Sequence, residues 1–251
     1  MNNKLLLVVL VMTLGATQVM ADTFGGVEYG YTTNDNFNGA TGSTAKLEEN
    51  IASTTVYLGH FKPSADKRSA FIIKGKVQVN SFDKASQLDN TVYGISAGQF
   101  YKFSKRNSVT TTFGVRAKRF DDSRRDGEVY SLSASFKQKK SKRVWFREGL
   151  LLEHGEAEAN SGVYNGYGVS GSVNMKLTSK TVINLGASWT RRIYDVTQAD
   201  KRTGKQLSLG LVQQFNKSLY LRASAALLSN SANDGTDYDS NIYSVGMGLT
   251  F

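Results

Sequence analysis

The feature that most constrains this chain is a strict alternation of apolar and polar residues, which is clearest in its last nine positions. Every second residue there is apolar, and the residues between are small or polar. The apolar positions are Tyr243, Val245, Met247, Leu249 and Phe251. Successive side chains of a β-strand point to opposite faces, so this segment has one apolar and one polar face. In water such a strand would expose an apolar, aggregation-prone edge, but in a bilayer it is suited to be the closing strand of a barrel.

The same period of two recurs along the chain and predicts about twelve strands. A tilted transmembrane strand needs about 9–11 residues, and most of the segments reach that length. The segments are 25–33, 52–61, 70–82, 91–103, 108–120, 128–137, 143–154, 163–177, 181–194, 206–215, 219–228 and 243–251. The sequence leaves open which face of the second segment points outward. We therefore predict an all-β fold, a transmembrane antiparallel up-and-down β-barrel.

The connections between these segments alternate in length. Short turns follow the even strands, at 62–69, 104–107, 138–142, 178–180 and 216–218. Mostly longer loops follow the odd strands, at 33–51, 83–90, 121–127, 155–162, 195–205 and 229–241. Short periplasmic turns and longer external loops are typical of outer-membrane barrels. An even number of strands places both termini on the periplasmic side.

The N-terminus resembles a secretory signal peptide. Lys4 precedes an apolar run at 5–14, which is too short to span a membrane, and a small-residue cleavage site ends at Ala21. We expect a signal peptide at 1–21 and one barrel domain at 22–251, located in the outer membrane. Its expected partners are membrane lipid, lipopolysaccharide and the barrel-assembly machinery, and we expect a monomer. The formal charge of +10 does not indicate nucleic acid in an exported chain.

The inward-facing positions carry the candidate functional residues. Twelve strands enclose a narrow lumen, and cations between low-dielectric walls attract anions. The predicted selecting residues are Lys74, Lys76, Lys102, Arg116, Lys118, Arg147 and Arg222. Lys137 and Arg192 share their face with two acids, Glu28 and Glu153, and Trp145 and Phe100 could stack on sugar rings. This pattern predicts a channel for anionic small solutes or acidic oligosaccharides, although the same bases could simply solvate a barrel interior.

Two other functions remain open at this stage. A non-conducting surface barrel, with an adhesion, receptor or structural role, would work through its long acidic loops. An enzyme would need a base such as His154, which lies beside Glu153 and Glu156 and could activate water. No serine motif accompanies either His154 or His60, and we predict no enzyme. The chain has no cysteine, and the loop at 234–239 lacks the ligand spacing of a calcium site, so we expect no cofactor and no metal.

Three segments resemble known proteins. The C-terminal phenylalanine with alternate apolar residues resembles the last strand of Gram-negative outer-membrane barrels, where it is the assembly signal. The blocks 30–37 (GYTTNDNF) and 238–243 (YDSNIY) resemble β-barrel porins, some of which are encoded with exopolysaccharide-export machinery. The strand number and basic lumen are also similar to those of the oligogalacturonate and sialic-acid-type monomeric porins. The resemblance implies location and architecture, and it assigns no binding residues.

Overall fold

The computed structural model describes residues 22–41, 45–157, 162–195, 201–233, 235 and 237–251, so the predicted signal peptide lies outside the described residues. Twelve strands dominate this part of the chain. They are β1 Thr23–Asn34, β2 Glu49–Pro63, β3 Ser69–Phe82, β4 Asn90–Lys102, β5 Asn107–Phe120, β6 Gly127–Lys139, β7 Val144–Ala157, β8 Tyr164–Lys176, β9 Thr181–Tyr194, β10 Lys201–Gln214, β11 Leu219–Ala232 and β12 Tyr238–Thr250. Among the described residues, no helix is long and apolar enough to cross a membrane.

The strands form one closed barrel in which every strand pairs with its sequence neighbours and β12 pairs with β1. All pairs are antiparallel, and the closing pair sets Tyr29 opposite Met247. Backbone hydrogen bonds in both directions between Gly25 and Phe251, of 3.1 and 3.0 Å, complete the closure. Closure leaves no sheet edge unpaired, as a strand in hydrocarbon requires. The predicted all-β up-and-down barrel is confirmed.

The outer surface of the barrel is apolar. Large apolar side chains of the kind that a water-soluble protein would bury are exposed on this surface. Leu150 is 62% exposed, Ile95 58% and Met247 54%. Aromatic rings pair on the same surface, as Tyr167 and Trp189 do with centroids 5.6 Å apart. A continuous surface of this kind is suited to lipid, with the aromatic side chains at the interfaces.

The strand register shows which residues of β2 point outward, a question that the sequence left open. Val56 lies opposite Val27 on β1 and Val77 on β3, both on the outer face. Tyr57 therefore points inward, where it lies opposite Lys76. The alternation in β2 is hard to read because its outward row includes Thr54 as well as apolar residues.

Several strands extend further toward the external end than their alternation indicated. The tenth strand was predicted at 206–215 but begins at Lys201, where it pairs with Ile193 of β9. The segment 201–205, KRTGK, is polar on both faces. Apolar and polar residues alternate only where one face of a strand contacts lipid. Polar ends of strands that extend beyond the membrane are therefore not predicted from this pattern.

The first external loop is fastened to the start of β12. The Asp35 carboxylate accepts hydrogen bonds from the backbone N–H of Asn241 at 2.6 Å and from its side-chain amide at 2.5 Å. Burial disfavours ionisation of Asp35, but these hydrogen bonds outweigh it and lower its pKa below the ordinary value. The buried Asn36 side chain donates to the Asp239 carbonyl at 2.8 Å. The two blocks that resemble porins, 30–37 and 238–243, therefore contact each other.

The same loop also packs against the inner rim. The Phe37 ring lies 5.5 Å from that of Phe82, which points inward at the external end of β3. Nearby, Glu49 is fully buried and its carboxylate accepts hydrogen bonds from the backbone N–H groups of Lys84 and Ala85 at 3.0 and 2.9 Å. These contacts hold the first two external loops to the barrel wall.

Candidate functional site in the barrel lumen

The barrel register assigns each strand residue to one face, and the inner face carries polar residues that include lysine and arginine. The structure places every predicted selecting residue on it: Lys74, Lys76, Lys102, Arg116, Lys118, Arg147 and Arg222. Lys137 and Arg192 share this face, as do Glu28, Glu153, Phe100 and Trp145. The lumen is therefore the candidate functional site.

A group of bases forms where β3 and β5 flank β4. Lys76 and Arg116 both lie opposite Gly94 of β4, which has no side chain to separate them. A Cβ at Gly94 would lie 3.1 Å from the Lys76 Cγ and 3.7 Å from the Arg116 Cγ, so both stems lie across the glycine. Lys74 is two residues from Lys76 on the same face. The glycine thus lets bases from two strands form one patch.

Glu153 joins this patch to the next strands. One of its oxygens lies 2.7 Å from the Arg192 Nε, and the other lies 4.0 Å from an Arg116 terminal nitrogen. The Glu153 side chain is 5% exposed, whereas the two arginine side chains are about half exposed to the lumen. Arg192 also lies over the Tyr164 ring, 4.8 Å from its centroid. The carboxylate orients both arginines and leaves part of each guanidinium open to solvent.

A second carboxylate lies on β1. Glu28 pairs with Arg222 of β11 and accepts a hydrogen bond from the Tyr220 hydroxyl at 2.7 Å. The Lys74 ammonium of β3 lies 4.3 Å from the centroid of the Tyr57 ring, which belongs to β2, the neighbour of β1. We call the inward cations of β3, β5, β9 and β11, namely Lys74, Lys76, Arg116, Arg192 and Arg222, the cationic belt.

On β8, β9 and β10 the inner wall is neutral over its middle part, between Lys176 at one end and Arg192 and Arg202 at the other. Its inner positions on β8, β9 and β10 are mainly serine, glycine and asparagine, including Ser170, Asn184, Ser188 and Ser208. These residues line a cavity of about 500 Å³, and Arg147 of β7 is also part of its lining. The lumen is therefore asymmetric, with hydrogen-bonding groups of low charge facing a cationic belt.

The sequence reasoning did not select several residues of this surface. Lys139, Lys176 and Arg202 also point inward, and so do the tyrosines Tyr57, Tyr164, Tyr194 and Tyr220. Lys139 and Arg202 fall outside the segments predicted from alternation. Lys176 falls inside the predicted segment 163–177, on the same face as Asn174. Alternation alone was therefore sufficient to predict that Lys176 points inward.

The two histidines lie on the outer face. His154 lies opposite the outward Tyr130, and its ring nitrogens lie 2.9 Å from the Asn165 side-chain oxygen and 3.5 Å from Glu156. His60 lies opposite the outward Ile73. Both residues are thus separated from the lumen by the barrel wall. The apolar residues of the predicted assembly signal, from Tyr243 to Phe251, also face outward and are exposed.

Comparisons with known proteins identify the architecture. No protein-family profile and no curated protein matches the sequence. Among solved structures, the chain is similar to an outer membrane channel of Pseudomonas putida F1, with a TM-score of 0.70 and 14% identity over 94% of this chain and 98% of that one. It is similar to the KdgM porin, with a TM-score of 0.54 and 12% identity over 90% and 99%.

A third similar structure is the outer membrane channel DcaP of Acinetobacter baumannii, with a TM-score of 0.52 and 11% identity over 92% of this chain and 96% of that one. At such identities the likeness concerns the fold. The chain thus has the closed β-barrel architecture found in outer-membrane channels and porins.

Proposed function

We propose that this protein is an outer-membrane channel whose basic lumen favours anionic small solutes or acidic oligosaccharides. The observation that carries the proposal is the excess of cations on the inner face, where only Glu28 and Glu153 supply carboxylates along the middle of the described strands. Support comes from the similar solved channels, one of which, the KdgM porin, is described in complex with disordered oligogalacturonate. The proposed role is passive transport and not catalysis.

The asymmetry of the lumen suggests how such a solute would pass. Lysine and arginine on β3 and β5 would attract carboxylates, since charges facing a narrow water-filled space between low-dielectric walls concentrate counter-ions. Hydroxyl and amide groups on β8 to β10 would hydrogen-bond the sugar hydroxyls. Many weak sites of this kind allow a solute to enter and also to leave.

Ion selectivity in a planar bilayer tests the proposal. Under a tenfold KCl gradient we expect a reversal potential that shows chloride preference, and Arg116→Ala/Lys118→Ala should move it toward zero. The matched control is Lys205→Ala, which removes a charge from the outer face of β10, opposite Trp189. Cation preference, or a folded barrel that conducts no ions, would overturn the proposal.

One observation favours a second candidate, a non-conducting surface barrel. The first external loop packs on the inward Phe82 and is held through Asp35 and Asn36, a position from which it would cover part of the external mouth. A barrel closed in this way would act through its external surface. The same bilayer recording separates the two candidates, because a sealed barrel remains silent while an Asp35→Ala variant with a released loop conducts.

A further inference from the structure

A dense group of cations lies at the short-turn end of the barrel, away from the belt described above. We name it the mouth cluster, and it surrounds a cavity of about 610 Å³. Its members are Lys105, Arg106, Lys137, Lys139, Lys140, Lys142 and Lys176, together with Trp145. Ser141 completes the lining.

The fold holds these residues in fixed places. Lys139 and Trp145 form a cross-strand pair on the inner face of β6 and β7. Lys105 and Arg106 come from the turn after β4, and the Arg106 carbonyl accepts a hydrogen bond from the Lys139 N–H at 2.8 Å. The Ser141 hydroxyl closes the turn after β6, where it accepts hydrogen bonds from the backbone N–H groups of Arg143 and Val144 at 3.1 and 3.0 Å. The turns after β4 and β6 therefore bring basic residues around one space, while the Lys140 ammonium itself lies 5.8 Å from the ring of Phe146 on the outer face.

The cluster contains no negative charge to balance it. None of the described residues that line the cavity is acidic. This differs from the middle of the lumen, where Glu28 and Glu153 each pair with arginine. The Lys137 ammonium lies over the Trp145 ring at 5.2 Å, a weaker partner than a carboxylate. Like charges gathered without counter-charges repel one another, and a bound anion relieves that repulsion.

We propose that the mouth cluster is a binding site for an acidic oligosaccharide at the short-turn mouth of the lumen. Lysine ammonium groups would bind the carboxylates, and the Trp145 indole would stack on a sugar ring. The inference deepens the proposed function and rests on it for the solute class. Lys137 and Trp145 lie inside the wall, opposite Arg147 and Lys139 respectively. A solute in the lumen reaches these groups, whereas a periplasmic polypeptide meets mainly the turn tips.

Tryptophan fluorescence tests this site directly, because the chain has two tryptophans, Trp145 and Trp189. Trp189→Phe leaves Trp145 as the only reporter, and Trp145→Phe leaves the outward Trp189 as its matched control. Quenching by iodide is compared with quenching by neutral acrylamide in nonionic detergent at constant ionic strength. We expect the iodide-to-acrylamide ratio to be about tenfold higher for Trp145, the low end of the enhancement in a charged cleft.

Charge variants and sugars then assign the ligand. Lys139→Gln/Lys176→Gln should remove most of the iodide preference, whereas Lys217→Gln in another short turn should not. Trigalacturonate should protect Trp145 from iodide, and neutral maltotriose should not. Equal iodide-to-acrylamide ratios for the two tryptophans would overturn the anion site. Protection by hexaglutamate but not by trigalacturonate would overturn the sugar assignment in favour of an acidic polypeptide.

This readout is independent of conductance. If the bilayer shows no anion preference while trigalacturonate still protects Trp145, the proposed channel function fails and the binding site stands. If chloride preference is present and Trp145 shows no iodide enhancement, the channel proposal stands and the mouth site is wrong.

Discussion

Replacing Glu153 by glutamine should have opposite effects on stability and on anion selectivity. The carboxylate is nearly buried and is bound by Arg192 at 2.7 Å, with Arg116 at 4.0 Å. Glutamine keeps the shape and one acceptor oxygen but removes the charge. Loss of a charge-assisted hydrogen bond costs about 1.5–3 kcal/mol, and breaking a fully buried ion pair costs about 3–5 kcal/mol. Because both arginines are half exposed to lumen water, which screens the interaction, we expect a cost near the lower end of the first range, about 1.5–2 kcal/mol.

The assay is equilibrium unfolding of the folded barrel in detergent, followed by tryptophan fluorescence, with reversal potentials recorded in parallel. Glu153→Gln should lower the free energy of unfolding and increase chloride preference, since the lumen loses a negative charge. Glu156→Gln is the control, because this residue is on the same strand but faces outward and is half exposed. Its effect should stay within about 0.5 kcal/mol. Equal stability of the two variants, or a shift toward cation preference, would refute the reasoning.

Three further predictions follow from the contacts described above. Gly94→Val should cost about 1–3 kcal/mol by overpacking and reduce single-channel conductance, whereas a Cβ at the outward Gly75 meets only the Gly94 carbonyl oxygen, at 4.0 Å, so Gly75→Val should do neither. Because the pKa of Asp35 is lowered by folding, its stabilisation of the first loop is present above the unfolded-state pKa of about 4 and is lost as pH falls through the lower folded-state pKa. The hydrogen-exchange protection factors of that loop, which are corrected for the intrinsic slowing of exchange in acid, should therefore fall as the pH is lowered, and Asp35→Asn should reduce this pH dependence. Phe251→Ala should reduce the amount of folded barrel in the outer membrane several-fold, whereas Phe215→Ala, another exposed aromatic at the same end, should leave it nearly unchanged.

The sequence predicts the face of a residue far better than its height in the barrel. Lys74 and Lys76 are placed inward by alternation alone, because their neighbours Ile73 and Val77 are apolar. The contact of Glu153 with both Arg116 and Arg192 depends on the stagger of β5, β7 and β9. Alternation within one strand carries no information about that stagger.

Polar strand ends are the other part that the sequence does not reveal. Arg202 and Lys139 lie where the strand leaves the membrane, so both faces are polar and the period of two disappears. The fastening of the first loop by Asp35 depends on a contact with Asn241, which is remote in sequence. The blocks 30–37 and 238–243 can be identified in the sequence by their resemblance to porins, but only the structure shows that the two blocks contact each other.

The central claim is that one row of each strand faces lipid and the other faces a wet, positive lumen, and cysteine accessibility tests it most directly. The chain has no native cysteine, so Ser96→Cys on the inner face and Ala97→Cys on the outer face each give a single thiol on β4. In lipid vesicles we predict that Ser96→Cys reacts with water-soluble methanethiosulfonates, faster with the anionic than with the cationic reagent, and that Ala97→Cys stays unreactive. Reaction at Ala97→Cys but not at Ser96→Cys, or faster labelling of Ser96→Cys by the cationic reagent, would contradict the account.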